Sequence, residues 1–429
     1  MFDVQQVYQS IDMDKMDFVK DLKSSQDYMN NELTYGAHNY DPIPVVLKRG
    51  RGVFVYDIED RRYYDFLSAY SSVNQGHCHP DILNAMINQA KKLTICSRAF
   101  FSDSLGVCER FLTNLFGYDK VLMMNTGAEA NESAYKLCRK WGYEVKKIPE
   151  NSAKIIVCNN NFSGRTLGCV SASTDKKCKN NFGPFVPNFL KVPYDNLEAL
   201  EQELQDPHVC AFVVEPIQGE AGVILPSDNY FKGVEELCKK YNVLFVADEV
   251  QTGLGRTGKL LCTHHYGVKP DVILLGKALS GGHYPISAIL ANNDVMLVLK
   301  PGEHGSTYGG NPLAAAICVE SLKVLINEKL CENAEKLGGP FLESLKKELK
   351  DSKIVREVRG RGLLCAIEFR NEIINVWDIC LKLKENGLIT RSVHDKTVRL
   401  TPPLCITKEQ LDECVQILSK TIKYFDDQL

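Results

Sequence analysis

The stretch that decides the fold is LFVADEVQTGLGRTGKLLCTHHYGVKPDVILLGKALSGGHYP, residues 244–285. It holds two short apolar runs, and a polar residue follows each of them: Asp248 the first and Lys277 the second. Short apolar runs that alternate with helix-length amphipathic stretches are typical of βαβ units and a mainly parallel sheet. Because ligands bind beyond the carboxyl ends of parallel strands, we expect Asp248 and Lys277 to meet at one edge of the sheet.

The same alternation continues before residues 244–285. Helices are predicted over about 128–141 and, after Ser227, to about Lys240. The apolar runs predicted as strands are KVLMM (120–124), KIIVC (154–158) and VCAFVVE (209–215). The middle of the chain is therefore predicted to be an α/β unit built around a mainly parallel central sheet.

A smaller α/β unit is predicted at the C-terminal end. After Pro312 the sequence predicts a long helix, and then strands in GLLCAIEF (362–369) and TVRLTPPL (397–404). We expect a domain boundary near 310–335. The predicted parts are an N-terminal arm, a large domain and a small C-terminal domain: 1–70, 71–330 and 331–429.

Composition points to a globular protein with a small-molecule substrate. The chain has 429 residues, 44% of them hydrophobic, so it can bury a substantial core. Its 51 basic and 54 acidic side chains give a net charge of -3, without a block of like charge. Nothing in this balance favours nucleic acid or an anionic membrane as a partner. No apolar segment is long enough to span a bilayer.

The cysteines indicate a reducing compartment. There are 16 of them, scattered along the chain and without a Cys-x-x-Cys pair. The first twenty residues contain acidic side chains and no Arg, which is unlike a transit peptide, and no apolar run, which is unlike a secretory signal. We expect a cytoplasmic protein, with residues 1–15 as an extension ahead of a second start at Met16.

Three polar features follow predicted strands. Gly127 turns the chain into a helix whose N-terminal amides suit a phosphate, although an ordinary Thr126 N-cap fits the same residues. Asp248 ends a buried strand and needs a donor or a cation, either a protonated pyridine nitrogen or the amides of the next loop. Lys277 follows an apolar strand, and desolvation lowers the pKa of such a lysine toward the neutral amine that a Schiff base requires.

In this order the three features resemble the class III (ω-amino acid) aminotransferases, which belong to the fold-type I superfamily of pyridoxal phosphate enzymes. The resemblance runs from about Tyr35 to the end of the chain, and residues 244–285 are its longest matching stretch. Other matching stretches are YGAHNYDPIPVVLKRG (35–50), SSVNQGHCHP (71–80), MNTGAEANE (124–132), NNFSGRTLG (160–168), VEPIQGEAG (214–222) and GEHGSTYGGNPL (302–313).

The resemblance implies a role for each cofactor-binding residue. Lys277 is expected to hold pyridoxal phosphate as a Schiff base and to move the proton, while Asp248 pairs with the pyridine nitrogen. Gln251 is expected to bond the phenolic oxygen of the ring. The other implied contacts are Phe162 on the ring face, Gly127 and Ala128 around the phosphate, and Ser306 and Thr307 reaching the phosphate from a partner subunit. A homodimer with a shared active site is therefore implied.

Within the family, the match looks closest to enzymes that transfer the δ-amino group of L-ornithine to 2-oxoglutarate. The products are glutamate and glutamate-5-semialdehyde, which cyclises to pyrroline-5-carboxylate. By this resemblance Arg165 clamps a carboxylate and Tyr40, with Tyr70 near it, holds the α end of ornithine. Arg399 receives the carboxylate of 2-oxoglutarate next to the reacting carbonyl, and Glu220 pairs with Arg399 while ornithine is bound.

Several alternatives remain open. N-acetylornithine and γ-aminobutyrate aminotransferases share the chemistry, and an aminomutase of glutamate-1-semialdehyde is more distant. Tyr40 and Glu220 favour ornithine, because its free α-amine needs hydrogen-bonding partners and an acetylated amine does not. From another class, a catalytically silent binding protein of the same fold is the alternative, and the intact Lys277 and Asp248 argue against it.

The motif His77-Cys78-His79 has the spacing of a metal-ligand pair. However, Gly and Pro stand on either side of it, and no third ligand is evident in the sequence. We therefore interpret it as a structural turn and predict no metal.

Cys169 and Cys178 bracket a lysine-rich segment. Nearby ammonium groups lower the pKa of a thiol and make it reactive. A redox-sensitive pair is therefore an alternative to two inert thiols.

Overall fold

The computed structural model describes residues 22–429, along which strands and helices alternate as the sequence predicts. The strands are, in chain order, β1 (Leu47–Arg51), β2 (Phe54–Asp57), β3 (Arg62–Asp65), β4 (Lys120–Met124), β5 (Lys154–Cys158), β6 (Phe189–Val192), β7 (Val209–Val214), β8 (Leu244–Asp248), β9 (Val272–Leu275), β10 (Ser287–Ala291), β11 (Val355–Arg361), β12 (Leu364–Phe369), β13 (Leu388–Ile389), β14 (Ser392–Val393) and β15 (Thr397–Leu400). The α-helices are α1 (Ser25–Tyr35), α2 (Pro80–Ala90), α3 (Leu105–Phe116), α4 (Gly127–Glu144), α5 (Leu167–Ala172), α6 (Lys176–Lys179), α7 (Leu197–Leu204), α8 (Tyr230–Lys240), α9 (Asn293–Met296), α10 (Pro312–Asn327), α11 (Leu330–Glu348), α12 (Val376–Glu385) and α13 (Lys408–Asp426).

A seven-stranded sheet forms the centre of the described residues, in the order β4-β10-β9-β8-β7-β5-β6. The strands from β9 to β6 in this order are mutually parallel, and β10 is antiparallel to both of its neighbours. Every residue of β7, β8 and β9 is buried, as expected when helices cover both faces of a parallel sheet. The predicted α/β class with a mainly parallel central sheet is confirmed.

Alternate residues of the central strands enter two different hydrophobic cores. Phe212 and Phe245 belong to the core on one face, and the next residues, Val213 and Val246, belong to the core on the other. Successive side chains of a strand point to opposite faces, so a run of apolar residues serves both cores at once. The strand ends are therefore held rigidly, together with the polar residues that follow them.

Two four-stranded sheets complete the described structure, in the orders β1-β2-β3-β13 and β11-β12-β15-β14. In the first, β13 lies parallel to β3 with Leu388 opposite Tyr64, so the N-terminal hairpin and the C-terminal region share one sheet. The strands of the second sheet are antiparallel. The pairing of β3 with β13 joins residues far apart in the chain, and no local sequence pattern predicts it.

None of the helices within residues 22–429 has the length and apolar character needed to cross a bilayer. The predictions about residues 1–15 and about the acidic first twenty residues lie outside the described residues.

Candidate active site

A cavity of about 170 Å³ lies at the carboxyl end of the central sheet. Asp248 is the last residue of β8, Lys277 follows β9 after one glycine, and Gly127 begins α4. The residues that line the cavity are Gly127, Ala128, Asn131, Phe162, Ser163, Gly164, Glu215, Glu220, Asp248, Val250, Gln251 and Lys277. The structure thus brings together the three features that the sequence places after separate strands.

The Asp248 carboxylate is buried and aimed into this cavity. Its Oδ2 accepts a hydrogen bond of 2.9 Å from Asn131 Nδ2, and its Oδ1 accepts one of 3.1 Å from the amide of Val250. Desolvation raises the pKa of Asp248, although these two hydrogen bonds oppose the shift. A cation placed next to Asp248 would stabilise its ionised form.

Lys277 borders the same cavity and stands at the start of a short 3₁₀ turn. Its backbone is left-handed, with φ of 44°, a conformation that a non-glycine residue adopts only at some cost. Desolvation lowers the pKa of the Lys277 ammonium, as predicted; the Arg399 charge lowers it too, while Glu220 raises it. A lysine of lowered pKa supplies more of the neutral amine that attacks a carbonyl.

The N-terminus of α4 carries a complete capping box. Thr126 Oγ1 accepts from the amide of Glu129, and the Glu129 carboxylate accepts from the amide of Thr126. The ordinary Thr N-cap is therefore present, and Gly127 and Ala128 line the cavity as well. Because the helix dipole and the first amides favour an anion, this end of the cavity can hold a phosphate.

Glu215 is a cavity residue that the sequence reasoning missed. It follows β7 directly, and its two carboxyl oxygens accept from the amides of Phe162 (3.0 Å) and Gly219 (3.2 Å). Desolvation, followed by the charge of Asp248, raises the pKa of Glu215 to about 8. The signal that indicates Asp248, a carboxylate directly after a buried strand at this sheet edge, also marks Glu215.

Asn131 was missed for a different reason. It lies one turn into α4 and donates to Asp248, while its own Oδ1 is buried without a hydrogen-bond partner among the described residues. A single polar residue on a helix gives no signal of such a contact, because the strand that it meets is far away in the sequence.

Gln251 lies in the cavity beside Tyr70, whose carbonyl oxygen is 3.5 Å from Gln251 Nε2. A Cβ atom at Gly219 would stand 1.4 Å from Gln251 Oε1, so only glycine leaves room for this side chain. Phe162 lies on the cavity wall and also borders a second, larger cavity.

The second cavity, of about 710 Å³, shares Phe162 and Glu220 with the first. The substrate residues that the resemblance implies all line it: Tyr40, Tyr70, Arg165, Glu220 and Arg399. Tyr40 is 72% exposed in the segment before β1. The Arg165 guanidinium lies 5.8 Å from the centre of the Phe162 ring. The two cavities together therefore form a small inner cavity and a larger, polar outer cavity.

Arg399 and Glu220 form an ion pair between the two cavities. Arg399 Nη1 lies 2.5 Å from Glu220 Oε1, and the side chains are 1% and 26% exposed. Desolvation acts to raise the pKa of Glu220, but the charges of Arg399 and Lys277 and the hydrogen bonds from Arg399 and Gln251 together outweigh it and hold that pKa below the usual range. Arg399 Nε is buried and without a hydrogen-bond partner among the described residues, so it is free to bind a second carboxylate.

Tyr70 belongs to a left-handed turn, with φ angles of 48°, 45°, 60° and 70° from Ser68 to Ser71. No glycine occurs in this turn, and the left-handed conformation costs about 1–2 kcal/mol per residue. The Tyr70 ring faces Arg399, with 5.0 Å between its centre and the guanidinium carbon. Strain of this kind persists only where the surroundings hold it.

Ser306 and Thr307 line neither cavity of their own chain. Ser306 Oγ accepts hydrogen bonds from Asn125 Nδ2 and from the amide of Gly309, each of 3.0 Å, and Thr307 is exposed. Their implied contact with a phosphate bound in another subunit stays a prediction.

The turn predicted at His77-Cys78-His79 is present, with Cys78 at φ of 52°. The two imidazoles bind different carboxylates: His77 Nε2 lies 2.7 Å from Asp65 Oδ2, and His79 Nε2 lies 2.8 Å from Glu328 Oε1. In residues 22–429, no three or more His, Cys, Asp and Glu side chains are grouped so as to hold a metal ion.

Cys169 and Cys178 are both buried and free. Desolvation raises the pKa of Cys169 to about 11, and desolvation with a hydrogen bond to Asp175 raises that of Cys178. The expectation that the neighbouring lysines lower a thiol pKa is therefore wrong for this arrangement. The physical reason is burial, since desolvation is the largest cause of both shifts, and Lys179 Nζ donates to the carbonyl oxygen of Val170 (2.9 Å) and not to a thiol.

The chain is similar to known proteins both in sequence and in structure. The profile of the aminotransferase class-III family matches residues 35–422. An ornithine aminotransferase of Plasmodium falciparum (isolate 3D7) is 91% identical over 414 residues, which are 96% of this chain and 100% of that protein. A solved structure of Plasmodium falciparum ornithine delta-aminotransferase, described for its redox regulation, is 86% identical with a TM-score of 0.89, covering 95% of this chain and 100% of the other. The ornithine aminotransferase from Toxoplasma gondii ME49 is 49% identical with a TM-score of 0.95, covering 96% and 98%. The chain belongs to the class III aminotransferase family.

Proposed function

We propose that this enzyme transfers the δ-amino group of L-ornithine to 2-oxoglutarate, giving glutamate-5-semialdehyde and glutamate. The semialdehyde then cyclises to pyrroline-5-carboxylate. The observation that carries the proposal is the Arg399–Glu220 ion pair at 2.5 Å, set in one cavity with Arg165, Tyr40 and Tyr70. The similar proteins from Plasmodium falciparum and Toxoplasma gondii are ornithine aminotransferases, which supports the same substrate.

Pyridoxal phosphate is the cofactor that we propose for the inner cavity. The donor set fits it: a primary amine at Lys277, a buried carboxylate at Asp248, an amide at Gln251 and the helix N-terminus at Gly127. These groups would meet its aldehyde, pyridine nitrogen, phenolic oxygen and phosphate respectively, and Phe162 would cover a ring face. When bound, the cofactor supplies an aldehyde for amines and a protonated ring that withdraws electrons.

Lys277 is proposed as the catalytic acid and base. Desolvation lowers the pKa of its amine, so that the neutral form is available as a base. It can take a proton from the substrate carbon that bears the reacting amine, and the resulting ammonium can then return the proton as an acid. Asp248 would stabilise a cation on the ring nitrogen, and such a cation would offset the desolvation that raises the pKa of this carboxyl group. Val250 and Phe162 contribute apolar walls to this cavity.

Two substrates of different charge must use the outer cavity in turn. While ornithine is bound, Glu220 neutralises Arg399, and the α-carboxylate of ornithine is left to Arg165 with help from Tyr40 and Tyr70. When 2-oxoglutarate binds, its carboxylate beside the carbonyl takes the place of Glu220 on Arg399. The buried Arg399 Nε that lacks a partner among the described residues supports this exchange, since a bidentate carboxylate would use it.

A homodimer with a shared active site is also proposed. Ser306 and Thr307 reach neither cavity of their own chain, so any contact with a bound phosphate must come from a second copy. Large apolar side chains such as Phe100 (70% exposed) and Phe101 (101% exposed) stand on the surface and would be covered in a dimer.

We further propose the division into an N-terminal arm (1–70), a large cofactor domain (71–330) and a small domain (331–429), and a reducing compartment such as the cytosol. The 16 free cysteines support the reducing compartment. We propose Cys169 and Cys178 as a redox-sensitive pair whose oxidation is slow, because burial raises the pKa of both thiols. Cys178 lines the outer cavity, and Cys169 Sγ lies 3.7 Å from the carbonyl oxygen of Ala128 in the inner one, so oxidation of either would disturb a cavity wall.

An amino-donor panel with 2-oxoglutarate tests the substrate. Ornithine, N-acetylornithine and γ-aminobutyrate are compared at equal concentrations, and the cyclic imine is trapped as the product. We expect ornithine to be turned over most rapidly. Preference for either of the other donors would refute the ornithine assignment and leave the family assignment intact.

A further inference from the structure

The left-handed turn that carries Tyr70 is stabilised by hydrogen bonds from the residues around it. Asp65, the last residue of β3, supplies the main side-chain contacts: its Oδ1 accepts from the amides of Leu67 (2.9 Å) and Ser68 (2.8 Å). Leu67 precedes the left-handed residues and Ser68 is the first of them, so one carboxylate oxygen sets the direction in which the chain enters the turn. The turn is closed by a hydrogen bond of 2.8 Å from the amide of Ser72 to the carbonyl of Ser68.

His77 holds this carboxylate in place. Its Nε2 donates to Asp65 Oδ2 across 2.7 Å, and the two side chains are 21% and 7% exposed. Without that partner the carboxylate could rotate away from the two amides. The imidazole is itself fixed by β1: the backbones of His77 and Gly52 exchange two hydrogen bonds, and a Cβ at Gly50 would stand 2.8 Å from the ring.

The other side of the turn is tied to the strand that carries Arg399. Thr401, just beyond β15, donates its hydroxyl to the carbonyl oxygens of Leu67 (3.1 Å) and Phe66 (3.2 Å). The turn is therefore held between the end of β3 and the end of β15. Its position relative to Arg399 depends on both.

We propose that Asp65 and His77 form a positioning pair that sets Tyr70 against Arg399 and Gln251. The pair touches neither cavity and is not catalytic itself. It acts through the turn, which aims the Tyr70 ring at the Arg399 guanidinium (5.0 Å) and the Tyr70 carbonyl at Gln251 Nε2 (3.5 Å). This role deepens the proposed function and rests on it, because Tyr70 and Arg399 matter here as substrate-binding residues.

The test compares His77→Gln with His79→Gln in the cofactor-loaded enzyme. His79 is a matched control, since it lies two residues away and also binds a carboxylate, that of Glu328, but on a different element. For H77Q we expect KM for 2-oxoglutarate to rise on the order of tenfold, with kcat within about twofold and the cofactor absorbance spectrum unchanged. For H79Q we expect both parameters to stay within about twofold of the parent enzyme.

A double-mutant cycle with Tyr70→Ala then separates positioning from general stability. If the pair acts through Tyr70, H77Q causes no further rise of KM in the Y70A background. A rise of the same size in both backgrounds, or equal effects of H77Q and H79Q, overturns the proposal.

Should H77Q fail to fold, Asp65→Asn serves instead, since asparagine keeps one oxygen for the amides of Leu67 and Ser68. A smaller rise of KM that again disappears in Y70A is expected. If the proposed function is wrong, the parent enzyme will not use ornithine, and this is seen separately. The ratio of KM for 2-oxoglutarate between variant and parent enzyme is then measured with whichever amino donor the parent accepts.

Discussion

The inner and outer cavities are built in different ways. The inner one takes its walls from the carboxyl ends of buried strands and from the helix that follows β4. The outer one is assembled from the segment before β1, the loop around Arg165 and the end of the chain near Arg399. Asp248 and Lys277 are therefore held by two hydrophobic cores, whereas Tyr40 stands 72% exposed on a segment outside them.

This difference separates two tasks. Chemistry on the cofactor needs groups fixed to within a few tenths of an ångström, and rigid strand ends provide that. In the proposed function, selection between ornithine and 2-oxoglutarate needs a cation that changes partner, and the Arg399–Glu220 ion pair at the junction of the cavities would provide it. Changes to the inner cavity should therefore abolish the chemistry, and changes to the outer one should redirect it.

Lys277→Ala should have the largest effect. Removing the amine that carries the proton is expected to lower kcat by at least about 10⁴-fold. Single-turnover absorbance with ornithine measures it. Lys239→Ala, an exposed lysine on α8, serves as the control and should match the parent enzyme. Activity of K277A near the parent level would contradict the role of the inner cavity.

Asp248→Asn should lower kcat by about 10²- to 10³-fold, because a neutral amide no longer stabilises a cation on the ring nitrogen. Steady-state kinetics and the absorbance of the bound cofactor are the readouts. Glu249→Gln is the matched control: Glu249 is also buried, but it binds Thr252 and Thr263 outside the cavity. The E249Q substitution should lower the thermal stability and leave the absorbance spectrum of the bound cofactor unchanged. Equal spectra for the two variants would argue against Asp248.

Glu220→Gln should redirect the outer cavity rather than inactivate the inner one. With Arg399 no longer neutralised, donors that react at their α-amine should improve relative to ornithine by about tenfold. The ratio of kcat/KM for the two kinds of donor measures it. Glu201→Gln, which removes a surface ion pair with Lys240, is the control. An unchanged ratio in E220Q would contradict the exchange of partners.

The pH dependence of this selection follows from the pKa of Glu220. Because Arg399 holds that pKa below its usual range, Glu220 is ionised at and above the ordinary glutamate value, and the ion pair is lost only as pH falls through the lowered one. The preference for ornithine should therefore be flat from about pH 6 to pH 9. A change of preference within that range would point to another titrating group.

The thiols test how tightly the residues around Cys169 are packed. Since the pKa of Cys169 is raised to about 11, its alkylation at neutral pH should be more than about 100-fold slower than that of Cys78, which is exposed. Mass spectrometry after timed alkylation compares the two in one sample. Equal rates would show that the packing around Cys169 opens readily.

Much of the fold and of the inner cavity could be predicted from the sequence. The strand runs 120–124 and 154–158 match β4 and β5 to the residue, and the predicted helix from about 128 is α4. Glu215 gives the same signal as Asp248 but escaped notice. Asn131 gave none, since its contact with Asp248 joins residues 117 positions apart. The raised pKa of Cys169 was mispredicted because the sequence shows which lysines are near, but not how completely the tertiary structure buries the thiol.

The amino-acid sequence by itself determined the α/β class, the order of the strands along the chain and the residue types at their carboxyl ends, because periodicity and strand ends are local properties. Only the tertiary structure decided which distant segments meet: β13 beside β3, Arg399 against Glu220, and Asp65 with His77 behind the strained turn of Tyr70. Those contacts depend on packing between elements far apart in the chain. The chemistry could thus be recognised from one stretch of sequence, whereas the proposed selectivity depends on contacts that the N-terminal and C-terminal regions make around the outer cavity.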